Sequence, residues 1–154
     1  LRRDPMAMLP FCGYNMADYW GHWIRTGQTE GVNLPKIYYV NWFRKDDDGK
    51  FMWPGFGENS RVLKWVFERC QGSAEAVETP IGNLPSIDAL DFSGLGLKDD
   101  QIAELLRVEV DGWLAEIPLI EEYYASYDGH VPAELTQELA DLKQRLEAAK
   151  QAAA

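Results

Sequence analysis

WFRKDDDGKFMWPGFGENSR, residues 42–61, sets five aromatic rings among separated glycine turns and three consecutive aspartates. A core strand would hide its rings by strict alternation, and a solvated loop would carry none. Asp47–Gly49 reads as a hairpin-type turn, because Asp-Gly tolerates positive φ. Asn59 or Ser60 is a candidate N-cap for a helix over Arg61–Cys70, with Leu63, Val66, Phe67 and Cys70 as its apolar stripe.

The flanking sequence is more regular. Upstream, Met16, Tyr19, Trp20, Trp23 and Ile24 follow helical spacing, which predicts a helix over Tyr14–Arg25 stopped by Gly27. PKIYYVNWF is a short β-branched and aromatic run, read as a buried strand over Lys36–Asn41. Downstream, TPIGNLP (residues 79–85) is Pro-bounded and extended. Ile102, Leu105 and Leu106, then Trp113, Leu114, Ile117, Ile120 and Tyr124, predict a helix over Asp99–Tyr127, kinked or broken at Pro118. Leu135, Leu139, Leu142 and Leu146, spaced 4-3-4, predict a last helix over Pro132–Ala149 with Pro132 in its first turn. The fold class is α+β, predominantly helical with few short strands.

Composition narrows the function. The chain has 154 residues, enough for a real core, and a net charge of −10. Residues 98–154 hold 13 acids and 5 bases, residues 1–97 hold 12 and 10. Such a tail disfavours duplex or single-stranded nucleic acid, and any anionic ligand belongs in the first part. No apolar run suits a membrane span. No signal peptide is visible, and position 1 is not Met, which leaves a processed chain or a piece of a longer one. Two cysteines, Cys12 and Cys70, make no disulfide framework; they read as packing residues in a reducing, cytoplasmic setting.

Chemical candidates are few. Aligning Gly49 with the invariant glycine of a calcium-binding EF-hand loop puts Arg44 first and Gly55 last, where acids are required. Asp46–Asp48 is thus a solvated acidic turn. His22 and His130 lack metal-ligand spacing, and no catalytic cysteine signature is present. GFGENS, residues 55–60, falls one residue short of G-x-G-x-x-G and follows Pro54 rather than a clean strand, so alone it reads as a capped helix start. Trp42, Phe43, Phe51, Trp53 and Phe56 admit two readings: the compact core of a small domain, or a slot that sandwiches a planar base. In the second reading Glu58, Asn59 and the N–H groups of Phe56 and Gly57 lie ready for the base edge.

MLPFCGYNM, PKIYYVNWFRKDDDGKFMWPGFGENSRVLKWVFERC and TPIGNLP together resemble the C-terminal part of GTP-dependent phosphoenolpyruvate carboxykinase, its actinobacterial members above all. The resemblance is strong over residues 1–97 and loose over the helical tail. It implies the C-terminal portion of that enzyme's nucleotide-binding lobe, split here into a guanine-binding part (1–97) and a helical segment (98–154). It implies GTP as phosphoryl donor in converting oxaloacetate to phosphoenolpyruvate and CO2, with Mn2+ and Mg2+ whose ligands, like the P-loop and reactive cysteine, lie upstream. A monomeric cytoplasmic enzyme is implied. Phe43, Phe51 and Phe56 would form the ring slot, Trp42 would support it, and Phe56, Gly57, Glu58 and Asn59 would face the guanine edge. No catalytic residue falls in this chain. Two residues depart from the pattern: Cys12 stands where several relatives carry a ring, and Asn83 replaces a tyrosine. The rival reading is a stand-alone helical interaction module whose rings are only core.

Overall fold

The computed structural model describes residues 8–153. The chain divides into two compact units: residues up to Leu34 with those from Glu109 onward, and Pro35–Val108.

The first unit is helical: a 3-10 turn at Leu9–Phe11, then α1 (Met16–Gly27), α4 (Val110–Ala125) and α5 (Ala133–Ala152). Asn15 starts α1, its Oδ1 accepting from the Ala17 N–H at 2.9 Å while its Nδ2 donates to the Tyr127 carbonyl at 3.1 Å. One amide thereby caps a helix and ties it to a residue 112 positions away. Met16, Ala17 and Tyr127 form the core, with Cys12, Tyr19, Trp20, Tyr123 and Val131 packed against it. The Trp20 and Tyr127 rings lie 4.7 Å apart. The 4-3-4 leucines behave as their spacing requires: Leu139 and Leu146 are buried, and α5 packs on α4, where Ile117 is buried. Each such residue stabilises by about 1.5–3 kcal/mol.

Two helical expectations change. Pro118 does not break its helix; α4 runs through it. Pro118 is exposed and removes only one bond, to the Leu114 carbonyl. The break falls at Arg107–Glu109, after α3 (Asp99–Leu106), where Arg107 turns extended and its guanidinium reaches back to Glu104 at 2.6 Å.

The second unit is mostly loop around α2 (Asn59–Gln71), α3 and a two-stranded antiparallel sheet. Its strands, β1 (Val77–Thr79) and β2 (Gly82–Leu84), pair Val77 with Leu84 and Thr79 with Gly82. TPIGNLP, expected only as an extended segment, therefore supplies the turn and second strand of a tight hairpin. Gly82, at φ +122°, supplies a turn conformation closed to most residues. Trp53, Trp65, Leu90 and Ile102 are the buried side chains.

The expected strand over Lys36–Asn41 does not form. Ile37 is 85% and Tyr39 92% exposed, and residues 35–41 make no backbone–backbone hydrogen bond among the described residues. β-propensity expresses fit to a neighbouring strand, and none among the described residues pairs here. The α2 stripe is also corrected. Leu63, Phe67 and Cys70 face outward; Trp65 is buried instead, its Nε1–H on the Glu75 carbonyl at 3.2 Å. Among the described residues no helix is long and apolar enough to cross a membrane.

Candidate functional site

The acidic turn holds the first half of the site. Gly49 takes φ +77°, the Asp46 carboxylate accepts from the Lys50 N–H at 2.8 Å, and Lys45 bridges Phe51 across the turn. Asp46 thus closes the loop on itself. The turn brings the exposed rings of Phe43 and Phe51 to 6.1 Å, edge to face at 64°. The Lys45 ammonium lies 5.0 Å from the Phe51 centroid, a cation–π contact.

Alternation turns the neighbours the other way. Trp42 is half-buried, 6.0 Å from the buried Trp53 ring. Arg44 donates to the Leu105 and Arg107 carbonyls, each at 3.1 Å, and to Glu104 at 3.2 Å. Its guanidinium clamps the hairpin to the end of α3. Hydrogen bonds from Arg107 hold the Glu104 carboxyl below its ordinary range, and the Arg44 charge adds to this.

The second half begins at Gly55, whose φ of +130° admits the 3-10 turn Phe56–Glu58 leading straight into α2. Phe56 is 91% exposed and meets no other ring among the described residues. The N–H groups of Phe56 and Gly57 donate to no protein atom among the described residues. Glu58 accepts from Arg61 Nε at 2.6 Å, and Arg61 also donates to the Asp91 carbonyl at 2.7 Å. Hydrogen bonds from the Ser93 hydroxyl and N–H hold the Asp91 carboxyl below its ordinary value, with the Arg61 charge helping.

Neither Asn59 nor Ser60 is the N-cap. The helix is entered from Glu58 without a side-chain cap, because the 3-10 turn already feeds it. The Asn59 side chain is used elsewhere: its Oδ1 accepts from Trp53 Nε1–H at 2.8 Å. The structure therefore pairs Phe43 with Phe51, Trp42 with Trp53, and Trp53 with Asn59, while Phe56 stands apart. The sequence places Trp53 among the rings but does not show it as a partner of Asn59; the available signal is that a buried indole N–H needs an acceptor. The exposed Phe56 ring and the N–H groups of Phe56 and Gly57 could meet a flat ligand bearing acceptors on its edge.

Elsewhere the chemistry is thin. Among the described residues no three His, Cys, Asp or Glu side chains converge to hold a metal ion. His22 is exposed, and His130 pairs with Asp18 at 2.9 Å. Cys12 packs against the core, but Cys70 is exposed, 3.9 Å from the Tyr38 hydroxyl, which corrects its reading as a packing residue.

Comparison with known proteins adds a separate line. Residues 1–145 match the family model described as the phosphoenolpyruvate carboxykinase C-terminal P-loop domain. Curated relatives named phosphoenolpyruvate carboxykinase [GTP] include one from Treponema pallidum (strain Nichols), 50% identical over 155 residues and 99% of this chain. Another, from Renibacterium salmoninarum, is 51% identical over 95% of the chain, and one from Neocallimastix frontalis is 50% identical over 97%. The chain spans about a quarter of the length of these relatives, between 24% and 25%.

Proposed function

Because the chain belongs to the GTP-dependent phosphoenolpyruvate carboxykinase family, we propose that it is the segment of such an enzyme that holds the guanine base of GTP or GDP. The reaction is conversion of oxaloacetate and GTP to phosphoenolpyruvate, GDP and CO2. Phe43 and Phe51 line the ring slot with Phe56, Trp42 backs it through Trp53, and the edge is read by Asn59 and by the N–H groups of Phe56 and Gly57, which donate to no protein atom among the described residues. The observation that carries this reading is the Asn59 amide. With Oδ1 taken by Trp53, its Nδ2 is left as a donor, which suits the O6 acceptor of guanine and not the amino group of adenine. Glu58, held by Arg61, shapes the turn that presents those N–H groups.

Base recognition lies in residues 1–97, and the helical segment 98–154 supports it. Manganese and magnesium serve the phosphoryl and carboxyl chemistry of the whole enzyme. On this reading their ligands lie in the rest of the protein, this chain's partner; among the described residues no three His, Cys, Asp or Glu side chains converge on an ion. The enzyme works as a cytoplasmic monomer, without nucleic acid or membrane; net charge −10 repels polyanions. Near-50% identity over almost the whole chain to these enzymes disfavours a stand-alone interaction module.

Calorimetric titration of the full-length protein with GDP, IDP and ADP tests the reading. GDP and IDP should bind well and ADP weakly. Equal affinity for all three would contradict base-edge reading by this segment.

A further inference from the structure

The geometry points to Trp53 as a positioning residue that sets the purine preference by locking the orientation of the Asn59 amide. This rests on the pocket reading above and adds a residue to it. An asparagine is by itself indifferent between purines: its NH2 can donate to the O6 of guanine or hypoxanthine, and its oxygen can accept from the amino group of adenine. Flipping the amide exchanges the two. Here the flip is blocked. The Trp53 indole is 7% exposed, and its Nε1–H, a donor with no acceptor capacity, lies 2.8 Å from Asn59 Oδ1. Reversal would set two donors face to face and strand a buried N–H without an acceptor. The indole is itself held: the Trp42 ring lies 6.0 Å away, and the preceding Met52 N–H donates to the Arg44 carbonyl at 2.9 Å. Guanine selectivity is in this way relayed from the hairpin, through one buried N–H, to a side chain at the start of α2.

The test uses the full-length enzyme and affinities for GDP, IDP and ADP. Trp53→Phe keeps a ring and removes only the donor. It should lower the GDP-to-ADP affinity ratio about 3- to 10-fold, the worth of one hydrogen bond, with IDP following GDP. Asn59→Ala should lose the same preference, and adding Trp53→Phe to it should change the ratio no further. Equal weakening of GDP and ADP in Trp53→Phe, an unchanged ratio, or a further drop in the double variant each overturns the lock. An unchanged ratio in Asn59→Ala overturns the pocket reading itself. If Trp53→Phe does not fold, the GDP complex of the wild-type enzyme decides. Asn59 must lie within hydrogen-bond distance of both the indole Nε1 and the base O6; an indole bonded elsewhere sinks the proposal.

Discussion

Phe56 is the residue at which the proposed binding role and stability separate most cleanly. Its ring is almost wholly exposed and touches no other ring among the described residues, so it contributes little to folding. Phe56→Ala in the full-length enzyme should leave thermal stability within about 0.5 kcal/mol. It should cost about 1–3 kcal/mol of nucleotide stacking, roughly 5–150-fold in affinity, for GTP and ITP alike. A large melting shift with unchanged affinity would mark Phe56 as structural. Asn59→Asp retains an acceptor for Trp53 but turns a carboxylate toward O6, so it should penalise GTP and ITP and spare ATP; a nucleotide panel checks this. Asp91 supplies a pH prediction. Its folded carboxyl titrates below the ordinary 3.8, chiefly through Ser93. A depressed acid stabilises fully above the unfolded value, and the gain fades as pH falls through the lower folded value. Ser93→Ala should move the Asp91 titration, followed by carbon NMR, back up toward 3.8. At this scale the sequence showed which residue types cluster. It did not show that the Trp53 N–H meets Asn59, because that depends on a turn closing over six positions.

Among the elements, α2 ends in a way its sequence advertises. Gly72 takes φ +77°, its N–H bonds the Arg69 carbonyl at 3.3 Å, and the Ser73 N–H bonds the Glu68 carbonyl at 2.9 Å, the paired closure of a Schellman end. Gly72→Ala should destabilise by about 1–2 kcal/mol, read from a denaturant midpoint. Pro118→Ala should do the opposite. It restores an N–H for the Leu114 carbonyl inside an unbroken helix and should stabilise by up to about 3 kcal/mol. No gain would mean that the surrounding turn already relieves the proline. Periodicity found α1, α4 and α5 because each buries one face within its own unit, as Leu139 and Leu146 show. It misplaced the α2 stripe because Leu63 and Phe67 have no cover here, and it missed β1 and β2 because three-residue strands carry no period to read.

For the whole molecule, the proposed base pocket, with no metal cluster among the described residues, sets a sharp expectation. The 154-residue chain alone should form no phosphoenolpyruvate from oxaloacetate and GTP, and a coupled assay on the purified fragment checks this. Phe11, Ile37, Tyr39 and Phe67 leave large apolar area in water, so the isolated chain should self-associate; a monomer in sedimentation velocity at tens of micromolar (on the order of a usual working range) would argue otherwise. The family was legible because a long motif, residues 35–70, lies within the chain, whereas the strand expected over the run Lys36–Asn41 finds no neighbour among the described residues. That run also keeps time. Its amides, bonded to no other backbone group among the described residues, should trade hydrogen for deuterium near the rate of an unstructured peptide, while those of α2 and α5 lag. In the intact enzyme a slowing of the same amides, followed by mass spectrometry, would date the moment when this segment is covered during refolding.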